Sequence, residues 1–141
     1  MKTLIRDYRG GDFKGLQALW DETDMGQPER GDNEEVIERC NAIGGKLLVM
    51  VDQDENRIIG SSWMTWDGRR IHLHHFAILP EHQNRGFGTL LAEESIKWIR
   101  GRKQQVKLEV HKQNHAAIRL YKKYGFISFR DYEVYMLRDV Q

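Results

Sequence analysis

The stretch from Ile71 to Val110 constrains the fold more than any other. "IHLHHFAIL" reads as a strand, Pro80 stops it, and "QNRGFG" turns the chain. Leu90, Leu91, Ile96, Trp98 and Ile99 then recur at helical spacing, and "QQVKLEV" returns to a strand. A strand, a helix and a strand in that order form a crossover, which brings the second strand back parallel to the first. Such a sheet needs helices to cover it.

The flanking segments extend this unit. "TLIRDYR" reads as a strand closed by Gly10 and Gly11, after which Asp12 can cap a helix carrying Phe13, Leu16, Leu19 and Trp20. The polar stretch "DETDMGQPERGDN" is a loop, and "EEVIERCNAI" is a second helix stopped by Gly44 and Gly45. "KLLVMVD" and "RIIGSSWMTW" flank the turn "QDEN", and the Asp-Gly pair in "DGRR" leads into "IHLHHFAIL", which makes an antiparallel meander. Downstream, Asn114 caps "HAAIRLYKKY", Gly125 closes that helix, and "ISFR" with "EVYMLR" reads as a closing hairpin. The expectation is one α/β domain over residues 1–141. Its mixed, mainly antiparallel central sheet has six to seven strands flanked by about four helices.

Charge and composition exclude several partners. Lys and Arg number 22 against 21 Asp and Glu, a net charge of +1, so no global field draws the chain to nucleic acid or an anionic membrane. No apolar run approaches the ~20 residues that span a bilayer, and "MKTLIRDYRGGDF" lacks the apolar core of a secretory leader. The single Cys40 cannot form an internal disulfide. Its place in the spacing Val36, Ile37, Cys40, Ile43 reads as a buried helix position rather than a nucleophile. A soluble, cytoplasmic protein is expected.

The turn itself carries chemistry. A helix start presents bare N–H groups and a partial positive charge; Gly86 and Gly88 remove side chains there, and Arg85 adds a cation. An anion is the natural ligand. A dinucleotide fingerprint or a P-loop would need G-x-G-x-x-G or G-K-[ST], and neither is present. The pattern Q-x-x-G-x-G from Gln83 to Gly88 resembles the acyl-CoA motif of the GNAT N-acetyltransferase superfamily. "NHAAIRLYKKYGF" is similar to that family's N-x-x-A-x-x-x-Y-x-x-x-G-F segment, and the order of elements agrees along essentially the whole chain.

The resemblance implies the GNAT fold and acetyl-CoA as acetyl donor. It places the backbone of Asn84, Arg85, Gly86, Phe87, Gly88 and Thr89 around the CoA pyrophosphate. It also lays Phe76, Ala77 and Ile78 along the pantetheine arm, at a strand edge opened by a bulge. In the family, the residue matching Asn114 contacts the cofactor, a role compatible with its cap.

Transfer from a thioester to an amine needs a neutral amine, a donor for the developing oxyanion and a proton for the departing thiolate. Tyr121, four residues before Gly125, matches the family tyrosine that acts as general acid. Two sites compete for the general base. Glu109 is similar to the glutamate that ribosomal-protein alanine N-acetyltransferases carry on this strand. Alternation sends His72, His74 and Phe76 to one face and His75 to the other. The pair His72 and His74 looks like the histidine relay of arylalkylamine N-acetyltransferases. No metal is expected, since His75 points away and no Cys, Asp or Glu follows at ligand spacing.

Between Asp21 and Glu35 seven acids face Arg30 alone, in a region that forms part of the family's acceptor site. A cationic amine would be drawn there, on a small molecule or a protein N-terminus. Trp20, Trp63 and Trp66 are core residues or line that pocket. The implied activity is acetyl transfer from acetyl-CoA to a primary amine by direct attack, with no cysteine near the motif to carry an acetyl intermediate. The alternatives are a non-catalytic acyl-CoA sensing module, which has no need of Tyr121, and a protein-interaction domain whose glycine turn is only structural. Monomer and homodimer both remain open.

Overall fold

The computed structural model describes residues 1–141 in two compact units, Met1–Glu109 and Val110–Gln141. The first contains strands β1 (Thr3–Asp7), β2 (Lys46–Asp52), β3 (Arg57–Trp66), β4 (Ile71–Ile78) and β5 (Val106–Leu108). Its helices are α1 (Phe13–Glu22), α2 (Glu34–Ala42) and α3 (Phe87–Arg102). The strands form one sheet in the order β1-β2-β3-β4-β5. All pairs are antiparallel except β4 with β5, the parallel crossover through α3 that the sequence predicts.

Two neighbouring serines show how the sheet is covered. Ser61 and Ser62 on β3 face opposite sides because strand side chains alternate. Trp20 of α1 donates its Nε1–H to Ser61 Oγ at 3.0 Å, while Ser95 of α3 meets Ser62 Oγ at 2.7 Å. Helices α1 and α3 therefore lie on opposite faces. Strands β2 and β3 are buried on both, which explains why "KLLVMV" and "IIGSSWM" lack strict alternation. Leu16, Leu19, Val49, Met50, Ile59, Met64 and Leu91 fill the two resulting layers.

Turn chemistry follows the sequence closely at Asp67, whose Oδ1 accepts from Arg69 N and Arg70 N, both at 2.7 Å. Asp12 departs from expectation. It stands at the start of α1 without capping it, because its carboxylate accepts two bonds from the Arg6 guanidinium and one from Arg9 N. A bidentate arginine is the stronger partner.

The second unit holds α4 (His115–Lys123). Asn114 Oδ1 accepts from Ala117 N at 3.2 Å, so the expected cap is formed. Gly125, at φ 93°, ends the helix: Gly125 N bonds Lys122 O, and Phe126 N bonds Tyr121 O. These are the two hydrogen bonds of a Schellman motif.

The expected sheet of six to seven strands is corrected to five, because the closing hairpin does not form and residues 126–141 contain no strand. The turn between its halves is present, with Tyr132 N bonded to Phe129 O at 3.3 Å. Two strands alone are marginal in water and need a third to pair with. The strand read from "QQVKLEV" is likewise shortened to Val106–Leu108.

Candidate active site

The turn after β4 is braced from below. Gln83 donates its Nε2–H to Ile78 O at 2.9 Å, tying the turn to the end of the strand. Asn84 and Gly86 then both take positive φ, 61° and 86°, and swing the chain into α3. No side chain caps this helix, so its first N–H groups stay uncapped from within. The two glycines differ in what they permit. Gly86 needs its positive φ. Gly88 does not, and a Cβ there would meet nothing nearer than Ile78 Cγ1 at 4.0 Å. The space over the helix start is open, as close approach of an anion requires. Arg85 lies exposed beside it, its guanidinium over the Phe87 ring at 5.3 Å and its Nη1 at 3.3 Å from His82 Nδ1.

One strand back, β4 is interrupted. Ser61 pairs with Ala77 and Trp63 with His74, so two residues, His75 and Phe76, oppose Ser62 alone. This is a β-bulge, with His75 at φ 46°. A relay of hydrogen bonds fixes it: Trp20 Nε1–H donates to Ser61 Oγ, and the Ser61 hydroxyl donates to His75 O at 2.6 Å. Phe76 stands in the bulge, and Ala77 and Ile78 follow it, both buried.

His72 and His74 share a face, their rings stacked at 6.1 Å. His72 Nε2 lies 3.1 Å from Asp67 Oδ2, while His74 Nε2 lies 2.9 Å from Thr65 Oγ1. Asp67 stays ionised well into acid, because the backbone N–H groups of Arg70 and Arg69 and the His72 ring all stabilise its charge. His74 is exposed by surface area, yet protein crowds its ring. Desolvation first, then repulsion by His75 and His72, lowers its pKa to about 4.

Glu109 is exposed and stands just beyond β5. The β4–β5 ladder ends with Leu73 opposite Leu108, so His74 and Glu109 are the first residues past it on the two strands. Both candidate bases stand where the strands cease to pair.

The acidic loop contributes a pocket of about 380 Å³, lined by residues that include Phe13, Gln17, Trp20, Met25, Pro28 and Asp32. Asp32 Oδ2 is 2.8 Å from His75 Nε2, an ion-pair distance without the alignment of a hydrogen bond. The His75 ring packs against Trp20 at 4.4 Å and Trp63 at 5.4 Å, and the two indoles stack at 5.8 Å. The buried Trp63 Nε1–H has no protein partner. Trp66 has a structural role, bonded to Gln104 Oε1 and stacked under Arg102. Sequence reading missed His75, because strict alternation assigns it to the far face; the doubled His74 and His75, where the alternation breaks, was the available signal of an extra residue. No group of three or more His, Cys, Asp or Glu is placed to hold a metal ion.

Within the second unit, Tyr121 packs against Phe126 with ring centroids 5.5 Å apart. Burial pushes its hydroxyl pKa up to about 12. The phenol is therefore protonated throughout the neutral range.

Comparison with known proteins matches the description "Acetyltransferase (GNAT) family" to residues 14–126. An acetyltransferase of Pectobacterium atrosepticum is 26% identical over 120 residues, covering 84% of each chain. Among solved structures, an acetyltransferase of Trypanosoma brucei superposes with a TM-score of 0.77 at 18% identity, covering 99% of this chain and 100% of the other. An N-acetyltransferase of Thermoplasma acidophilum in complex with coenzyme A superposes with a TM-score of 0.71 at 20% identity, covering 90% and 91%.

Proposed function

The chain belongs to the acetyltransferase (GNAT) family and is an acyltransferase, and on that premise we propose that it moves the acetyl group of acetyl-CoA to a primary amine by direct attack. The observation that carries this reading is the uncapped start of α3 under open space at Gly88. There the backbone from Asn84 to Thr89 offers N–H donors to a pyrophosphate, and Arg85 adds a charge. The bulge at His75 and Phe76 interrupts the regular pairing of β4, which suits the two amides of a pantetheine arm running past Phe76, Ala77 and Ile78. Asn114, already a helix cap, is assigned a contact to the donor by its motif position alone.

The acceptor enters from the side of Asp32, whose carboxylate lines the loop pocket and draws an ammonium group. His74 takes the proton that leaves the amine. With a pKa lowered to about 4 it is uncharged at neutral pH, so one of its ring nitrogens is unprotonated. His72 and Asp67 lie behind it as a path to solvent. Glu109 is the second reading, favoured by its place at the same parting of β4 and β5. The amine nitrogen bonds the thioester carbon, the carbon–sulfur bond breaks, and CoA departs as a thiolate.

Tyr121, assigned by its motif position, donates to that sulfur. A thiol titrates near ~8.5, so complete transfer from a phenol at about 12 is uphill. Hydrogen-bond donation to the thiolate is therefore the stabilising event.

The test is a thermal melt with and without acetyl-CoA, followed by CoA release over a panel of amines. Stabilisation with turnover supports the enzyme. Stabilisation with no turnover on any amine favours a sensing module, and no shift at saturating acetyl-CoA removes the pyrophosphate cradle.

A further inference from the structure

The pocket under the acidic loop is more selective than the loop's charge suggests. Its volume of about 380 Å³ lies within the ~300–1,000 Å³ of small-molecule sites. At a liquid-like ~30 Å³ for each water-sized group, it takes roughly a dozen non-hydrogen atoms. Phe13, Trp20, Met25 and Pro28 make its walls mainly apolar. Asp32 is the one ionisable residue lining it, and no Lys, Arg or His does. The Asp32 side chain is 19% exposed, so water and salt screen its charge only weakly. A carboxylate or phosphate on the ligand would have no counter-ion there. Asp21, Glu22, Asp24 and Glu29 are exposed and do not line the pocket. Asp21 and Asp24 instead border a more open hollow next to it, which shares Gly26 and Gln27 with it.

The polar side chains of the wall are engaged in holding the loop. Gln17 Nε2–H donates to Asp21 Oδ1 at 2.8 Å. Gln27 donates to Asp24 O at 3.0 Å and accepts from Arg30 Nε at 2.6 Å. Asn33 Oδ1 accepts from Val36 N at 2.9 Å, and Trp20 Nε1–H is directed to Ser61. A ligand rich in polar groups, such as a peptide with its backbone amides, would lose water here and find few partners. What the wall offers is one negative charge and an apolar surface.

We propose that the acceptor is a primary monoamine with an uncharged alkyl or aryl body, its ammonium at Asp32 and its body among Phe13, Trp20, Met25 and Pro28. One oxygen of Asp32 lies 2.8 Å from His75 Nε2, and a carboxylate accepts at both oxygens, so an ammonium has a place beside that pair. His75 belongs to the bulge of β4, which leaves the amine one side chain away from the strand that the donor follows. That the bound amine is acetylated rests on the acetyl-transfer reading; the charge and lining of the pocket do not.

Hexylamine, hexamethylenediamine and aminocaproate share one carbon chain and differ in whether its far end is neutral, cationic or anionic. Their binding to the full chain is measured by titration calorimetry with CoA present, so that no acetyl group can react, and kcat/KM is measured by CoA release from acetyl-CoA. Hexylamine should lead in both by about tenfold or more. Lengthening the amine from propyl to hexyl should raise affinity by up to about fourfold for each buried methylene. Binding should also carry the negative heat-capacity change of apolar burial. A diamine that binds as well as hexylamine overturns the proposal and makes the site one for polyamines reaching Asp21 and Asp24. Preference for aminocaproate or for alanyl-alanine amide, an affinity indifferent to chain length, or no binding of any amine overturns it too.

Met25→Lys keeps an unbranched side chain and puts a cation in the wall. It should weaken hexylamine binding about tenfold and favour aminocaproate relative to it. A folded Met25→Lys protein with the wild-type order would place the body elsewhere, and if the variant does not fold, the wild-type series decides alone. The two readouts separate the two readings. The expected binding order without turnover upholds the pocket and removes acetyl transfer, whereas turnover in the reverse order upholds acetyl transfer and removes the pocket.

Discussion

His75 and Asp32 meet at 2.8 Å between Nε2 and Oδ2, and the contact joins the strand bulge to the acidic loop. Both side chains are largely buried, and the His75 ring is held by Trp20 and Trp63. The bulge that would hold the donor and the pocket that would take the acceptor are thus linked by one pair. Asp32→Asn keeps the shape and removes the charge. It should lower stability by about 1–2 kcal/mol, the usual cost of losing a charged partner at a part-buried site. In kinetics, the KM for the amine should rise while that for acetyl-CoA stays within about twofold, because Asp32 lines the loop pocket and not the glycine turn. An unchanged amine KM would leave the pair a structural role only.

Gly88 allows stability and binding to be separated. It sits in the first turn of α3 with no strained φ, and no protein atom comes closer than 4.0 Å to the place that an added methyl carbon would take. Gly88→Ala should therefore leave the melting temperature of the free protein unchanged or raise it, by up to about 0.5–1 kcal/mol of helix stability. Its acetyl-CoA-induced shift in Tm should fall sharply, since the added methyl occupies the space over the helix start. Gly86→Ala should instead cost stability outright through its positive φ. Full acetyl-CoA stabilisation of a folded Gly88→Ala protein would show that the open space serves some other purpose.

The contrast between these glycines shows what sequence alone can carry. The turn, the α3 crossover and the Asn114 cap were legible because each depends on residues close together in the chain. The bulge at His75 was less so: its one local mark is the break in alternation at His74 and His75 in "HLHHFAI", and the extra residue is defined only by the pairing of His74 with Trp63 and of Ala77 with Ser61. The same holds for Asp12, whose cap is lost to a bidentate Arg6 on β1. "EVYMLR" has the composition of a strand, but a strand also needs a partner edge, and that condition is non-local.

His74 gives a pH dependence with a definite sign. An unfolded histidine titrates near ~6.5, whereas folded His74 is lowered to about 4, so between these values the unfolded chain binds a proton that the folded one refuses. The contribution of His74 to stability is flat above ~6.5 and declines as pH falls from there toward 4. His74→Asn should flatten that part of a Tm-against-pH curve. As the base, His74 should keep the acid limb of kcat/KM below about pH 5, and His74→Asn should lower kcat by about 10²–10⁴. A carboxylate ordinarily titrates in the same acid range, so comparison with Glu109→Gln decides between them. Loss of turnover in Glu109→Gln with His74→Asn active would transfer the role to Glu109.

Tyr121→Phe tests the chemistry at the departing sulfur. The ring packs against Phe126, and phenylalanine preserves that contact, so the fold and the Tm shift with acetyl-CoA should survive. What is lost is one O–H donor in a desolvated setting, the setting that pushes its pKa up to about 12. A donor aimed at charge that develops only in the transition state contributes to kcat rather than KM, by about 10²–10³ for a single group. The expected result is therefore a fall of that size in kcat with little change in KM for acetyl-CoA. Retention of wild-type kcat would remove Tyr121 from the reaction. A fall confined to acetyl-CoA affinity would instead make it a binding residue, leaving the thiolate to be stabilised by other donors or by water.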